Sequence, residues 1–187
     1  MPLYKITLLG DGAVGKTALR DRFMGKSFTA DYMMTIGADF ATKEIVLGQQ
    51  YGTIKYQIWD LAGQPRFEAV RGLYYRGSLG GLLVFDVTRP PSFENTPSWV
   101  KELWKNNGKG RVPIVIMGNK IDLRGAVPEN LEPGHGEALA KHLSEIAGFH
   151  IPYFETSAKT GQNVIEAFVK LGESILNFIK ARAAHRI

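Results

Sequence analysis

The stretch Gly10-Asp11-Gly12-Ala13-Val14-Gly15-Lys16-Thr17 sets glycines, a lysine and a hydroxyl at the Gly-x-x-x-x-Gly-Lys-Ser/Thr spacing. Such a loop can turn successive backbone N–H groups inward around phosphate oxygens while the helix behind it offers its positive end. Lys16 would reach the β- and γ-phosphates, and the Thr17 hydroxyl would ligate Mg²⁺. A phosphate loop alone points to a nucleotide without choosing the base. Asn119-Lys120-Ile121-Asp122 and Ser157-Ala158-Lys159 each follow an apolar, strand-like run, and open α/β sheets bind ligands at the carboxyl ends of strands. The Asp122 carboxylate can accept from both N1–H and the exocyclic amino group of guanine, a donor pair that adenine does not present, and the Ala158 N–H can donate to guanine O6. A capped turn is the alternative account of an isolated Asn-Lys-x-Asp. In Trp59-Asp60-Leu61-Ala62-Gly63-Gln64, Asp60 would hold Mg²⁺ through water, Gly63 would offer its N–H to a γ-phosphate and Gln64 would orient the attacking water. Thr35 stands in a polar stretch without periodicity, where its hydroxyl could complete the Mg²⁺ shell only when a γ-phosphate is present, which makes a two-state loop.

These groups need a scaffold, and the chain alternates accordingly. Strand-like runs at 4–9, 80–87, 112–118 and 151–154 are each followed by a helix-period segment, at 16–24, 92–106, 137–146 and 163–179. This alternation predicts a parallel sheet with crossover helices. Two further strand-like runs, 39–47 and 53–59, are joined by the glycine-bearing link 48–52, so one edge strand should run antiparallel. Asn163 is read as the N-cap of the last helix, with Glu166 three residues on in a capping-box-like start. The apolar positions Val164, Phe168, Leu171, Ile175 and Phe178 then form the face packed on the sheet.

The 187 residues are 44% hydrophobic and 22% charged, which fits a single globular domain over 1–187. The absence of cysteine excludes disulfides, thiolate metal sites, a cysteine nucleophile and cysteine-based lipid anchors. No apolar run approaches the ~20 residues of a membrane span, and no signal peptide is recognisable, so a cytoplasmic protein is expected. The net charge of +5 is scattered. The groupings Lys101, Lys105, Lys109, Arg111 and Lys180, Arg182, Arg186 read as solvated helix faces rather than a nucleic-acid surface. The histidines His135, His142, His150 and His185 lack metal-ligand spacing.

On these motifs the chain resembles the Ras-superfamily small GTPases, and within them the Rab family, from residue 5 to 178. The branch resemblance rests on Thr35-Ile36-Gly37-Ala38-Asp39-Phe40, on the Trp59–Phe67 run, on Tyr74-Tyr75-Arg76-Gly77-Ser78 and on Leu83-Val84-Phe85-Asp86-Val87-Thr88. It implies an α/β P-loop NTPase G domain, a six-stranded, mostly parallel sheet with one antiparallel edge strand and about five flanking helices. It implies switch I at 30–38 and switch II at 61–72, and GTP/GDP and Mg²⁺ as cofactors. The implied nucleotide contacts are Asp11, Gly12, Ala13, Val14, Gly15, Lys16, Thr17, Ala18, Phe28, Tyr32, Thr35, Gly63, Asn119, Lys120, Asp122, Leu123, Ser157, Ala158 and Lys159. Thr17, Thr35 and Asp60 are the implied metal ligands, and Gln64, Lys16, Thr35 and Gly63 carry catalysis. Phe28 would pack on the guanine ring, burial in the core being the alternative. Phe40, Trp59 and Tyr74 would face effectors, and exchange factors and GTPase-activating proteins would act on a monomer through the switches.

The chain departs from the Rab pattern in several places. It ends without a cysteine and carries Pro2 where myristoylation needs glycine, so no covalent lipid anchor is expected and membrane contact would be peripheral at most. Leu61 replaces threonine, a packing change. Pro65 replaces glutamate and biases Gln64 toward extended backbone. That supports turnover if the water-orienting pose is extended, opposes it if the pose is helical, and has no kinetic effect if Pro65 simply opens a helical turn. No arginine lies between Arg22 and Arg66, so switch I cannot supply an arginine finger in cis and unassisted hydrolysis should be slow. The function expected is a slowly hydrolysing GTP switch. A GTP-binding scaffold with negligible turnover and a P-loop phosphotransferase are the competing classes.

Overall fold

A computed structural model describes residues 2–30 and 34–184. Strand β1 (Leu3–Leu9) leads through the glycine loop into helix α1 (Lys16–Phe23). A hairpin follows, β2 (Ala38–Val46) and β3 (Thr53–Leu61), and then a 3₁₀ turn (Pro65–Phe67) running into α2 (Glu68–Tyr75). Next come β4 (Gly80–Asp86), α3 (Pro90–Glu94), α4 (Thr96–Asn106) and β5 (Ile114–Asn119). A 3₁₀ turn (Ile121–Leu123), α5 (Pro133–Ala147), β6 (Tyr153–Thr156) and α6 (Val164–Ala184) complete the order.

The strands form one sheet in the order β2-β3-β1-β4-β5-β6. Among the described residues only the β2–β3 pairing at the edge is antiparallel, as the short glycine link predicts. Strand β4 is buried throughout, and its successive side chains feed opposite faces of the sheet. Leu82 and Val84 join a core of Ile6, Leu19, Phe23, Phe168 and Leu171 beneath α1 and α6. Leu83 and Phe85 join Leu9, Trp99, Leu103, Ile116 and Leu143 beneath α4 and α5. Among the described residues no helix is long and apolar enough to cross a membrane.

Some expected boundaries shift, each for a local reason. The single helix expected at 92–106 divides at Asn95 into α3 and α4. Pro97 has no N–H to give the Phe93 carbonyl, and the Thr96 hydroxyl donates to that carbonyl at 2.6 Å instead. Helix α5 starts four residues earlier than the expected 137, at Pro133, with Glu132 and His135 exchanging cap hydrogen bonds. Asn163 precedes α6 as expected, but its amide donates to the Glu155 carbonyl at 2.7 Å, fastening the helix start to β6.

Candidate functional site

The carboxyl ends of the parallel strands bring the chemistry-bearing residues to one edge of the sheet. Register pairs Leu8 with Asp60, Asp86 with Asn119, and Asn119 with Thr156. The glycine loop after β1, the Asp60 carboxylate, the Asn119–Asp122 segment and the Ser157–Lys159 turn therefore stand in a row. They surround a cavity of about 490 Å³ whose lining includes Gly12, Ala13, Gly15, Lys16, Thr17, Ala18, Phe28, Thr35, Gly63, Gln64, Lys120 and Leu123.

The loop is held from behind by its carbonyls. Arg89 Nη2 donates to Gly12 O at 2.6 Å, Lys120 Nζ to Ala13 O at 2.7 Å and Asn119 Nδ2 to Val14 O at 2.9 Å. A trans peptide carries its N–H opposite its C=O, so these bonds direct the next N–H groups the other way. Gly15 has φ +100°, and a Cβ there would lie 2.3 Å from Asn119 Nδ2, so both the conformation and the close approach require glycine. The Val14 side chain is fully buried in the core and only its backbone belongs to the loop.

Lys16 is buried, with Nζ donating to Gly10 O at 2.6 Å and Asp11 O at 2.8 Å. Burial pulls its ammonium down to about 8, against the attraction of Asp60 and Asp11. Beside it Thr17 Oγ1 donates to Asp60 Oδ2 and lies 3.0 Å from Thr35 Oγ1, so the residues expected to hold Mg²⁺ converge. Burial raises the Asp60 carboxyl above its ordinary range, opposed by the Thr17 hydrogen bond, Lys16 and Arg20. The second carboxylate oxygen, Oδ1, is buried without a hydrogen-bond partner. Two hydroxyls and a carboxylate with an orphaned oxygen are the hard oxygen donors a Mg²⁺ shell uses alongside water and phosphate, so the residues present fit the ion.

At the segment expected to read the base, Ser157 Oγ donates to Asp122 Oδ1 at 2.5 Å. The Ala158 N–H points to Asn119 Oδ1 at a long 3.3 Å. Arg22 fastens this turn by donating to the carbonyls of Ala158 and Lys159. Phe28 is 41% exposed and lines the cavity, so core burial is not its environment. Tyr32, also expected at the nucleotide, lies outside the described residues. Asp60, Asn119, Asp122, Ser157, Ala158 and Lys159 flank the cavity rather than line it. The Asp11 side chain turns away, accepting from Trp99 Nε1 and Asn95 Nδ2, both at 2.7 Å.

Gly63 is pressed onto the loop: a Cβ there would lie 2.4 Å from Asp11 C and 2.5 Å from Gly12 N. Gln64 adopts φ −85° and ψ 142°, and Pro65 opens the 3₁₀ turn at its first position, where the missing N–H leaves no carbonyl unpaired. The Gln64 carbonyl accepts from Arg71 Nη1 at 2.9 Å. Arg71 is itself buried, bonded to both carboxylate oxygens of Glu102 and stacked 4.3 Å over the Trp99 ring. Nearby, Phe40 of β2 stacks on Trp59 of β3 with centroids 5.2 Å apart, and Tyr74 of α2 meets the Trp59 ring at a tilt with centroids 5.6 Å apart.

Sequence reasoning missed Arg22, Arg71, Arg89 and Trp99. Arg89 in particular brings a cation to the loop from the turn between β4 and α3.

A family model described as Ras family matches residues 5–177. Curated relatives include the Ras-related protein RABA1c of Arabidopsis thaliana, 39% identical over 181 residues, covering 97% of this chain and 79% of the relative. The Ras-related protein Rab-13 of Rattus norvegicus is 40% identical over 174 residues, 93% of this chain and 80% of that protein. The Ras-related protein RABA6b of Arabidopsis thaliana is 43% identical over 169 residues, 90% and 69% respectively. With such a match across most of its length, and with a six-stranded sheet carrying one antiparallel edge strand, the chain belongs to the Ras family as a Rab-like small GTPase.

Proposed function

We propose that the chain binds GTP and GDP with Mg²⁺, slowly hydrolyses GTP to GDP and phosphate, and signals by the shape of the loops that carry Thr35 and Gln64. The convergence of Thr17, Thr35 and Asp60, one of them from a loop without secondary structure, supports this reading most directly. Thr35 can join that group only while its loop lies over the site, so its position couples a ligand's presence to the chain's outer surface. Mg²⁺, when bound, supplies a hard cation that offsets charge on phosphate oxygens. The glycine-loop N–H groups and Lys16 would hold the phosphates, Asp122 and Ala158 the guanine edge, and Phe28 its face, with Gln64 orienting water. Phe40, Trp59 and Tyr74, in mutual ring contact and with Phe40 exposed, would meet effectors, since exposed apolar groups that cluster mark a protein contact. Exchange factors and GTPase-activating proteins would act on the same loops, on a monomeric, cytoplasmic protein.

The test is the nucleotide released on denaturing the purified protein. A guanine nucleotide near one per chain is expected. Asp122→Asn should shift base preference from guanine toward xanthine, because one acceptor position becomes a donor. An adenine nucleotide, or unchanged GTP affinity in Asp122→Asn, would contradict the assignment.

A further inference from the structure

The phosphate loop presents three consecutive outward carbonyls, each capped by a side-chain donor: Asn119 on Val14, Lys120 on Ala13 and Arg89 on Gly12. The first two belong to the segment expected to read the base. The third belongs to no motif. Its backbone is nonetheless fixed with unusual care. The Arg89 N–H donates to Asp86 O at 3.0 Å, its carbonyl accepts from both the Ser92 N–H at 3.0 Å and the Ser92 hydroxyl at 2.8 Å, and Pro90 and Pro91 follow at once. Two prolines preset φ for the turn that leaves Arg89, so little backbone freedom remains to be lost when the guanidinium is in place. Among the described residues no carboxylate lies within ion-pair distance of that guanidinium. An unpaired cation behind the phosphate loop raises the positive potential there, and a bound anion would relieve it.

We propose that Arg89 is a positioning residue of the phosphate loop, which holds the Gly12 carbonyl outward and adds a fixed positive charge behind the site of the nucleotide phosphates. The geometry makes two contributions. The guanidinium on Gly12 C=O polarises the Gly12–Ala13 peptide, so the Ala13 N–H on its opposite side becomes a stronger donor to a phosphate oxygen. Ala13 holds φ 65°, an uncommon conformation for a side-chain-bearing residue, and anchoring both adjoining carbonyls through Arg89 and Lys120 keeps it there. The charge then acts through space on bound phosphate, without touching it.

This inference rests on the reading of the cavity as a guanine-nucleotide site. Its test is the release rate of a fluorescent GDP analogue from the Mg²⁺-loaded full chain, for wild type, Arg89→Ala, Arg89→Gln and Arg89→Lys, at low and high salt. Charge-assisted hydrogen bonds are about twice as strong as neutral ones, so Arg89→Ala should release nucleotide about three- to tenfold faster. Arg89→Lys should stay within about twofold of wild type, with Arg89→Gln between the two. Because part of the effect is coulombic, the gap between wild type and Arg89→Ala should narrow at high salt, which loss of a merely structural contact would not produce. Equal release by wild type and Arg89→Ala overturns the inference, as does an Arg89→Lys variant as leaky as Arg89→Ala or a gap indifferent to salt. A wild type that binds no guanine nucleotide overturns instead the reading on which it rests.

Discussion

Gln64 shows how a single residue can be constrained from both sides. Its ψ of 142° is the extended value that a following proline favours, and its carbonyl is gripped by Arg71. Pro65 occupies the first position of a 3₁₀ turn, so replacing it breaks no hydrogen bond and acts mainly through the unfolded chain. Pro65→Ala should therefore cost about 0.4–1 kcal/mol in thermal or denaturant unfolding and leave single-turnover GTP hydrolysis within about twofold of wild type. A several-fold gain in rate at unchanged nucleotide affinity would mean that the proline restrains Gln64. At this scale the sequence was most legible where a loop is built from neighbours: residues 10–17 and 119–122 gave their positions by spacing alone. It was silent where partners are distant. Arg89 meets Gly12 across 77 positions, Trp99 meets Asp11 across 88 and Arg22 meets Ala158 across 136, and no local pattern encodes such a meeting.

Helix α4 acts as a strut between two parts of the site. Through Trp99 and Glu102 it holds both Asp11 of the phosphate loop and Arg71 beside Gln64. Removing one partner of a buried charge pair costs roughly 3–5 kcal/mol, and both side chains here are shielded, at 5% and 18% exposure. Arg71→Ala should lower stability by an amount near the bottom of that range, read from the urea midpoint, while Arg71→Lys loses less. A change below about 0.5 kcal/mol would show that the pair is decorative. A second fastening, Arg124 with both oxygens of Glu155, ties the loop after β5 to β6. The Arg124 hydrogen bonds hold the Glu155 carboxyl below its ordinary 4.5. Its folded value being depressed, the stabilisation is present above about 4.5 and lost as pH falls through the folded value. Glu155→Gln should cost about 1 kcal/mol at pH 7, with the difference from wild type vanishing in acid. A difference constant from pH 7 to pH 3 would contradict that account. The element boundaries misjudged from sequence, at 92–106 and 137–146, were prolines weighed too lightly: Pro97 interrupts one helix and Pro133 opens another.

Across the whole molecule the parallel sheet and its antiparallel edge were implied by alternation and by the resemblance together, whereas the strand order and the division of the core between the two faces of the sheet come from pairings distant along the chain that no local pattern encodes. One tight seam lies between α6 and β3. A Cβ on Gly172 would stand 2.7 Å from Tyr56 Oη and 2.8 Å from Leu47 Cδ2. The Tyr56 hydroxyl cannot yield easily, since it is buried and donates to Phe168 O at 2.8 Å. Alanine in mid-helix gains about 1 kcal/mol of propensity over glycine, against roughly 1–3 kcal/mol for overpacking. Gly172→Ala should be net destabilising by about 1 kcal/mol in chemical unfolding, and a more stable variant would show that the seam has slack. That seam supports the β1–β3 pairing at whose end Asp60 lies. Single-turnover phosphate release from GTP, measured with saturating Mg²⁺ on the wild type and on Gln64→Leu, tests most directly whether this fold is a slow GTP hydrolase centred on Gln64. The wild type should release phosphate on the order of 10⁻³ per second or below, and Gln64→Leu should be slower by about tenfold or more while still holding GTP. No phosphate from a GTP-loaded wild type, or equal rates in the two proteins, would contradict it.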